Sequence, residues 1–157
     1  MSSKLPKTLI SRFLQWYSSL WPIPYPKPPY EHICPIGDQN LRCKAQSVDV
    51  NVINSAEIQT IIQKMIKVLR KYSLVGISAP QIGVSYQIFI VEFTEKEKNK
   101  FHHDTIKARE MEVFPLKVFI NPILSVINNR KINFPEGCAC IKGYSAIVPR
   151  CYEIKVK

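Results

Sequence analysis

One amphipathic helix followed only by short strand-like runs is the pattern that most constrains this chain. Ile58, Ile61, Ile62, Met65, Leu69 and Tyr72 recur at helical spacing and so share one face. Lys64, Lys67, Arg70 and Lys71 take the other face and the last turn, where cations suit the helix dipole. Asn54, three residues before Glu57, predicts an N-cap with a reciprocal partner. Beyond this helix the signals change. Residues 86–93 are rich in Ile, Val and Phe and predict a buried strand. Residues 117–121 and 123–127 predict strands on either side of Pro122, residues 131–134 a short strand, and the alternation over 152–156 the start of another. Residues 94–112 are charged and lack core periodicity, so a loop is expected there. The order implies an α+β fold with antiparallel sheets and a surface helix, not alternating βαβ units.

At 157 residues the chain has room for a single core. Its net charge of +10 raises the question of nucleic acid. The basic residues are scattered, with no aromatic-interleaved stripe, so no specific nucleic-acid partner is expected. No run of about 18 apolar residues is present, so no membrane-spanning helix is expected. Cys34, Cys43, Cys138, Cys140 and Cys151 are odd in number and form no disulfide framework, which favours reduced thiols in an intracellular compartment. Residues 1–20 read as a mitochondrial presequence. They lack Asp and Glu, carry Lys4, Lys7 and Arg12, and space Leu9, Phe13, Trp16 or Tyr17, and Leu20 as on one helical face. Residues 21–29 contain five prolines, a composition that predicts an extended linker. The folded unit is expected to begin near Tyr30 and to occupy residues 30–157.

Two short motifs carry the chemistry. The first is Gly76-Ile77-Ser78-Ala79-Pro80-Gln81-Ile82-Gly83. Gly76 admits a close backbone approach or a conformation closed to other residues. Gln81 offers an amide that can donate to an oxygen on which negative charge builds. The second is Pro135-Glu136-Gly137-Cys138-Ala139-Cys140. A thiolate at Cys138 is a soft ligand suited to iron(II) or zinc(II). The Cys138-x-Cys140 spacing is shorter than that of structural zinc pairs and no second pair follows, which disfavours a two-thiol zinc site.

These motifs, in this order, with Phe114-Pro115-Leu116-Lys117-Val118-Phe119-Ile120-Asn121-Pro122 between them, resemble the peptide deformylase family, close to its animal mitochondrial branch. The resemblance covers roughly residues 28–157. The family pattern Gly-φ-Gly-φ-Ala-Ala-Pro-Gln is altered here at Leu74 and Ser78, and Ala139 and Cys140 stand where Leu and Ser are common. The resemblance implies a metallohydrolase that removes the formyl group from the initiator Met of mitochondrially made proteins. Its substrate would be a formyl-Met peptide, its location the mitochondrial matrix, and the ribosome a possible neighbour. It makes Cys138 the ligand of one divalent metal (Fe2+, Zn2+ or Co2+). It makes Gln81 and the Ala139 backbone N–H the oxyanion donors. It places Gly76 and Gly137 against the bound peptide, and it pairs Glu136 with Arg150 to brace the cysteine loop.

The family's third motif, His-Glu-x-x-His, supplies two further ligands and the general acid–base on a central helix. His32, His102 and His103 do not form it, and the His102-His103-Asp104 run reads as a solvated tip. The expectation is therefore an incomplete, inactive and only marginally folded copy that does not hold metal alone. A non-catalytic formyl-peptide binder is the alternative.

Overall fold

The computed structural model describes residues 11, 12 and 16 and residues 26–157. Most of the presequence expected over 1–20, and residues 21–25 of the linker, lie outside the described residues. The elements are α1 (Ala56–Lys71), β1 (Gly76–Ser78), β2 (Ile88–Phe93), α2 (Glu95–Lys98), α3 (His103–Ala108), β3 (Phe114–Ile120), β4 (Leu124–Cys138) and β5 (Ile141–Val156), with a 3-10 turn at Ala79–Ile82. β1, β2 and β3 make one antiparallel sheet with β2 at its centre, and β4 and β5 make a separate antiparallel hairpin. The architecture is the α+β arrangement that the order of sequence signals implies.

The core sits between α1 and the inner face of the three-stranded sheet. Ile58, Ile61, Ile62, Met65, Val68 and Leu69 from the helix meet Ile77, Ile88 and Ile90 from the sheet, with Ala79 and Ile82 from the 3-10 turn. Burying a large aliphatic side chain contributes about 1.5–3 kcal/mol, so this one interface supplies most of the cohesion. The other face of the sheet carries a stacked Phe89–Phe119 pair, centroids 4.6 Å apart. Tyr72, expected on the buried helical face, is instead the C-cap residue and partly exposed.

Several boundaries differ from the sequence expectation. The helix is capped by Ser55, whose Oγ accepts from the Ile58 N–H at 3.4 Å, not by Asn54. A preceding 3-10 turn, Val50–Val52, closes with Ser55 N–H donating to Val52 O and sets the extended backbone a cap needs. The charged stretch expected to be a loop contains α2 and α3. Thr94 and His102 cap them, and at four and six residues they are too short to show an apolar repeat. The strands expected over 123–127 and 131–134 are one strand, β4, kept continuous by register shifts around Asn128. β5 begins at Ile141, well before the expected start at Tyr152. The polar run Asn128-Asn129-Arg130-Lys131 masked that continuity, because an exposed hairpin needs no apolar alternation there. Leu124, Ile127, Tyr144 and Ile147 on the hairpin are exposed. Among the described residues no helix is long and apolar enough to cross a membrane.

Candidate active site

Gln81 lies in the 3-10 turn that links β1 to β2. Pro80 sits at the start of that turn, where its fixed φ is already suitable. Gly83 closes it at φ 83°, with its N–H donating to the Ala79 and Pro80 carbonyls. The carboxamide is oriented by Ser78: Gln81 Oε1 accepts from the Ser78 N–H at 2.9 Å and from Ser78 Oγ at 3.2 Å. With its oxygen held, the Nε2 side must face the other way, and it donates to Cys140 Sγ at 3.4 Å. A carboxamide nitrogen has two protons, so one remains for a further acceptor. The backbone N–H of residue 78 thus fixes which end of the amide points outward, and the serine hydroxyl, a departure from the family pattern, adds a second bond to the same oxygen.

Gly76 does not adopt a left-handed conformation. It lies in β1, where an added Cβ would sit 3.2 Å from Val91 Cγ1, a tight contact that the valine would have to yield to by a few tenths of an ångström. Of the two conformational reasons for a glycine here, a left-handed backbone does not apply, and the near neighbour in the structure is Val91 of β2.

The second motif is not a loop. Glu136, Gly137 and Cys138 are the last residues of β4, and only Ala139 and Cys140 form the turn into β5, since Cys138 pairs with Ile141. Cys138 is exposed and Cys140 buried. Burial pushes the Cys140 thiol up, the Gln81 amide opposes this, and the neighbouring Cys138 adds to it. The turn therefore brings Cys140 onto Gln81, with Cys138 two residues before it at the end of β4. Cys140 is the residue through which the two motifs touch, although in the sequence it is marked only as standing where Ser is common and as half of a disfavoured two-thiol pair.

The segment after the linker ties both motifs together. Tyr30 N–H donates to Ile82 O at 2.8 Å, Cys34 N–H to Gln81 O at 2.9 Å and Ile36 N–H to Cys140 O at 2.9 Å. Cys34 is fully buried beside these bonds. No motif marks it, so only the three-dimensional arrangement shows its place. Burial pushes the Cys34 thiol up to about 11, and the nearby Asp38 carboxylate adds to the effect. A thiol raised from 9.0 to about 11 on folding stabilises the native state fully below pH 9.0. That contribution, about 2–3 kcal/mol at most, is lost as pH rises through about 11. Urea titrations across this range are expected to show the loss, and Cys34→Ala to flatten that part of the profile.

Glu136 and Arg150 form a two-pronged pair, both contacts at 2.7 Å. It spans β4 and β5, so it clamps strands and not a loop. The Arg150 guanidinium holds the Glu136 carboxyl below the usual carboxylate range, chiefly by hydrogen bonding. The stabilisation is present above the unfolded carboxyl pKa and is lost as pH falls through the lower folded value. Because the pair is partly exposed, Glu136→Gln is expected to cost only about 0.5–1 kcal/mol near neutral pH. Thermal unfolding of both forms near neutrality and in acid checks this, with the gap closing in acid.

Among the described residues no three His, Cys, Asp or Glu side chains gather as a cage for a metal ion. Iron and zinc sites draw on about four donors. His32 stacks on Tyr30, and His102 and His103 stand exposed at the start of α3 beside Asp104. The side chains described here do not fit a divalent ion on their own.

Residues 30–157 match the family model described as polypeptide deformylase. The human mitochondrial peptide deformylase is 38% identical over 131 residues, covering 83% of this chain and 54% of that protein. Peptide deformylase 1A of Arabidopsis thaliana, chloroplastic/mitochondrial, is 42% identical over 120 residues, covering 76% of this chain and 45% of that protein. The crystal structure of the Ehrlichia chaffeensis peptide deformylase superimposes with a TM-score of 0.64 at 25% identity, over 80% of this chain and 65% of that one. The Met-Ala-Ser-bound class I type b enzyme of Acinetobacter baumannii shares the fold, with a TM-score of 0.66 at 21% identity over 79% of this chain and 72% of that one. The chain belongs to the peptide deformylase family, a family of metal-dependent hydrolases. It spans about half the length of the curated relatives it matches.

Proposed function

We propose that this chain carries the oxyanion-binding and thiolate portion of a deformylase site for the formyl-Met end of nascent mitochondrial proteins. One observation carries the reading: the Gln81 carboxamide is anchored through its oxygen by Ser78 and turned, N–H outward, toward the turn that bears Cys138 and Cys140. When water adds to a formyl carbon, charge moves onto the formyl oxygen. A pre-oriented N–H at that position stabilises the transition state without reorganisation. In this reading Gln81 and the Ala139 N–H are the donors, Gly76 and Gly137 lie along the peptide, and Cys138 would give one ligand to a divalent metal, whose chemistry in the complete family site would be to activate water. The Glu136–Arg150 clamp holds the end of β4 that presents Cys138. Residues 1–20 direct the chain to the mitochondrial matrix, residues 21–29 link, and residues 30–157 form the deformylase domain.

The chain described here offers one sulfur where a metal needs several donors, so alone it holds metal poorly and does not turn over. The purified chain is supplied with Fe(II), Zn(II) or Co(II), then assayed for retained metal, formyl-Met-peptide binding and formate release. The expected result is substoichiometric metal, no formate, and peptide binding weakened by Gln81→Ala. Stoichiometric metal with turnover would overturn the inactivity. Peptide binding indifferent to Gln81→Ala would overturn the site.

A further inference from the structure

One face of the β4–β5 hairpin carries Arg130, Ile132 and Phe134 on β4 and Arg150 and Tyr152 on β5. Arg109 and Glu110, at the C-terminal end of α3, stand across from it. The space between is a cavity of about 510 Å3, within the range of small-ligand sites. Its lining holds three guanidiniums against one carboxylate.

Each guanidinium is fixed by a different contact. Arg130 Cζ lies 4.1 Å from the Tyr152 ring centroid, and Arg109 Cζ lies 4.7 Å from that of Phe134. Neither makes an ion pair among the described residues, and stacking on a ring leaves the N–H edge free. Arg150 donates from Nε and Nη2 to Glu136, both at 2.7 Å, and keeps its Nη1 protons. Glu110, the one carboxylate of the lining, accepts from the Tyr152 hydroxyl at 3.0 Å, which ties the end of α3 to the hairpin. The three are strung out along the strands. Phe134 pairs with Val148, so Phe134 and Tyr152 are anchored about 14 Å apart, with Arg150 between them. A carboxylate or a single phosphate is compact and satisfies one fork. A chain of phosphates carries oxygens on every unit and can meet several forks at once, the long arginine side chains closing the remaining gaps.

We infer that this cavity is a site for a linear polyphosphate chain, borne by a nucleoside triphosphate or by an inorganic polyphosphate. The inference does not rest on hydrolytic activity, since no group in it would touch a formyl carbon.

The test is equilibrium dialysis of the full 157-residue chain, without magnesium, against tripolyphosphate, ATP, orthophosphate and citrate in turn. Tripolyphosphate is expected to bind at one site, and orthophosphate and citrate about tenfold or more weaker, because each loses at least one charge-assisted contact. Arg109→Ala and Arg130→Ala should each weaken tripolyphosphate about tenfold, and Arg130→Lys nearly as much, because an ammonium offers no planar fork. Lys67→Ala, on the exposed face of α1, should change nothing. ATP binding tighter than tripolyphosphate assigns the chain to a nucleotide, and the opposite order assigns it to an inorganic polymer. No retained tripolyphosphate, orthophosphate or citrate held as tightly, or an equal loss in Lys67→Ala would each overturn the inference. So would single-stranded RNA bound where tripolyphosphate is not. The ranking of ligands on the wild-type chain needs no variant to fold.

Discussion

Truncating Met65 to alanine is expected to cost about 2–5 kcal/mol of stability. Met65 is fully buried at the middle of α1, among the residues that face Ile77, Ile88 and Ile90. Removing the rest of its side chain deletes transfer energy and leaves a cavity that a helix tied at both ends cannot collapse. At the N-terminal end the helix is fixed by the Ser55 cap. At its C-terminal end Leu74 N–H returns to Leu69 O, and β1 follows at once. A small domain holds a net stability of about 5–15 kcal/mol, so this one change removes a large share of it. Urea unfolding followed by far-UV circular dichroism gives the number. Thr60→Ala on the exposed face of the same helix serves as the contrast. Thr60 Oγ1 bonds only back to Ala56 O, and its loss should shift stability by less than about 0.5 kcal/mol. Equal costs at the two positions would mean that α1 is not seated on the sheet.

The same helix shows why parts of the fold were legible in sequence and others were not. Ile58, Ile61, Ile62, Met65 and Leu69 are packed on one side only, so burial imprints their spacing directly on the chain. β2 is legible for a related reason: it is the central strand, paired on both edges, and must be apolar. The hairpin carries no such imprint. Most of β4 and β5 is exposed, so Asn128 to Lys131 can be polar within a strand and reads as a break. Short α2 and α3 depend on single capping bonds at Thr94 and His102, and a one-bond signal is lost in a charged stretch. At the site, Gln81, Cys138, Glu136 and Arg150 are picked out by the resemblance of their motifs to the peptide deformylase family. Ser78, Cys140 and Cys34 are not, because their roles come from what they touch across 3, 59 and 47 residues of sequence. Contacts between distant segments leave no local period to read.

Replacing Gly83 with alanine is expected to cost about 3 kcal/mol and to loosen the Gln81 turn. Two effects add. The backbone at φ 83° is left-handed, which costs a residue with a Cβ about 1–2 kcal/mol. The new methyl would also lie 2.5 Å from Tyr30 Cε2 and 2.8 Å from Cδ2, so the ring must move. Tyr30 is not free to swing away cheaply. Its ring stacks on His32 with centroids 4.9 Å apart, and its N–H is bonded to Ile82 O, one residue from Gln81. Displacing it pulls on the same strap that holds Gln81 O and Cys140 O through Cys34 and Ile36. The two effects separate in a double-mutant cycle. In a Tyr30→Ala background the left-handed cost of about 1–2 kcal/mol and the tight contact with Pro28 Cβ at 3.0 Å should remain for Gly83→Ala, while the ring clash is gone. Hydrogen exchange should report the functional side: the amides of Ser78 and Gly83 lose protection in Gly83→Ala before those of α1 do. If Gly83→Ala costs the same with and without the Tyr30 ring, the tyrosine is not what confines the turn, and the tie between residues 30–36 and the carboxamide loop fails with it.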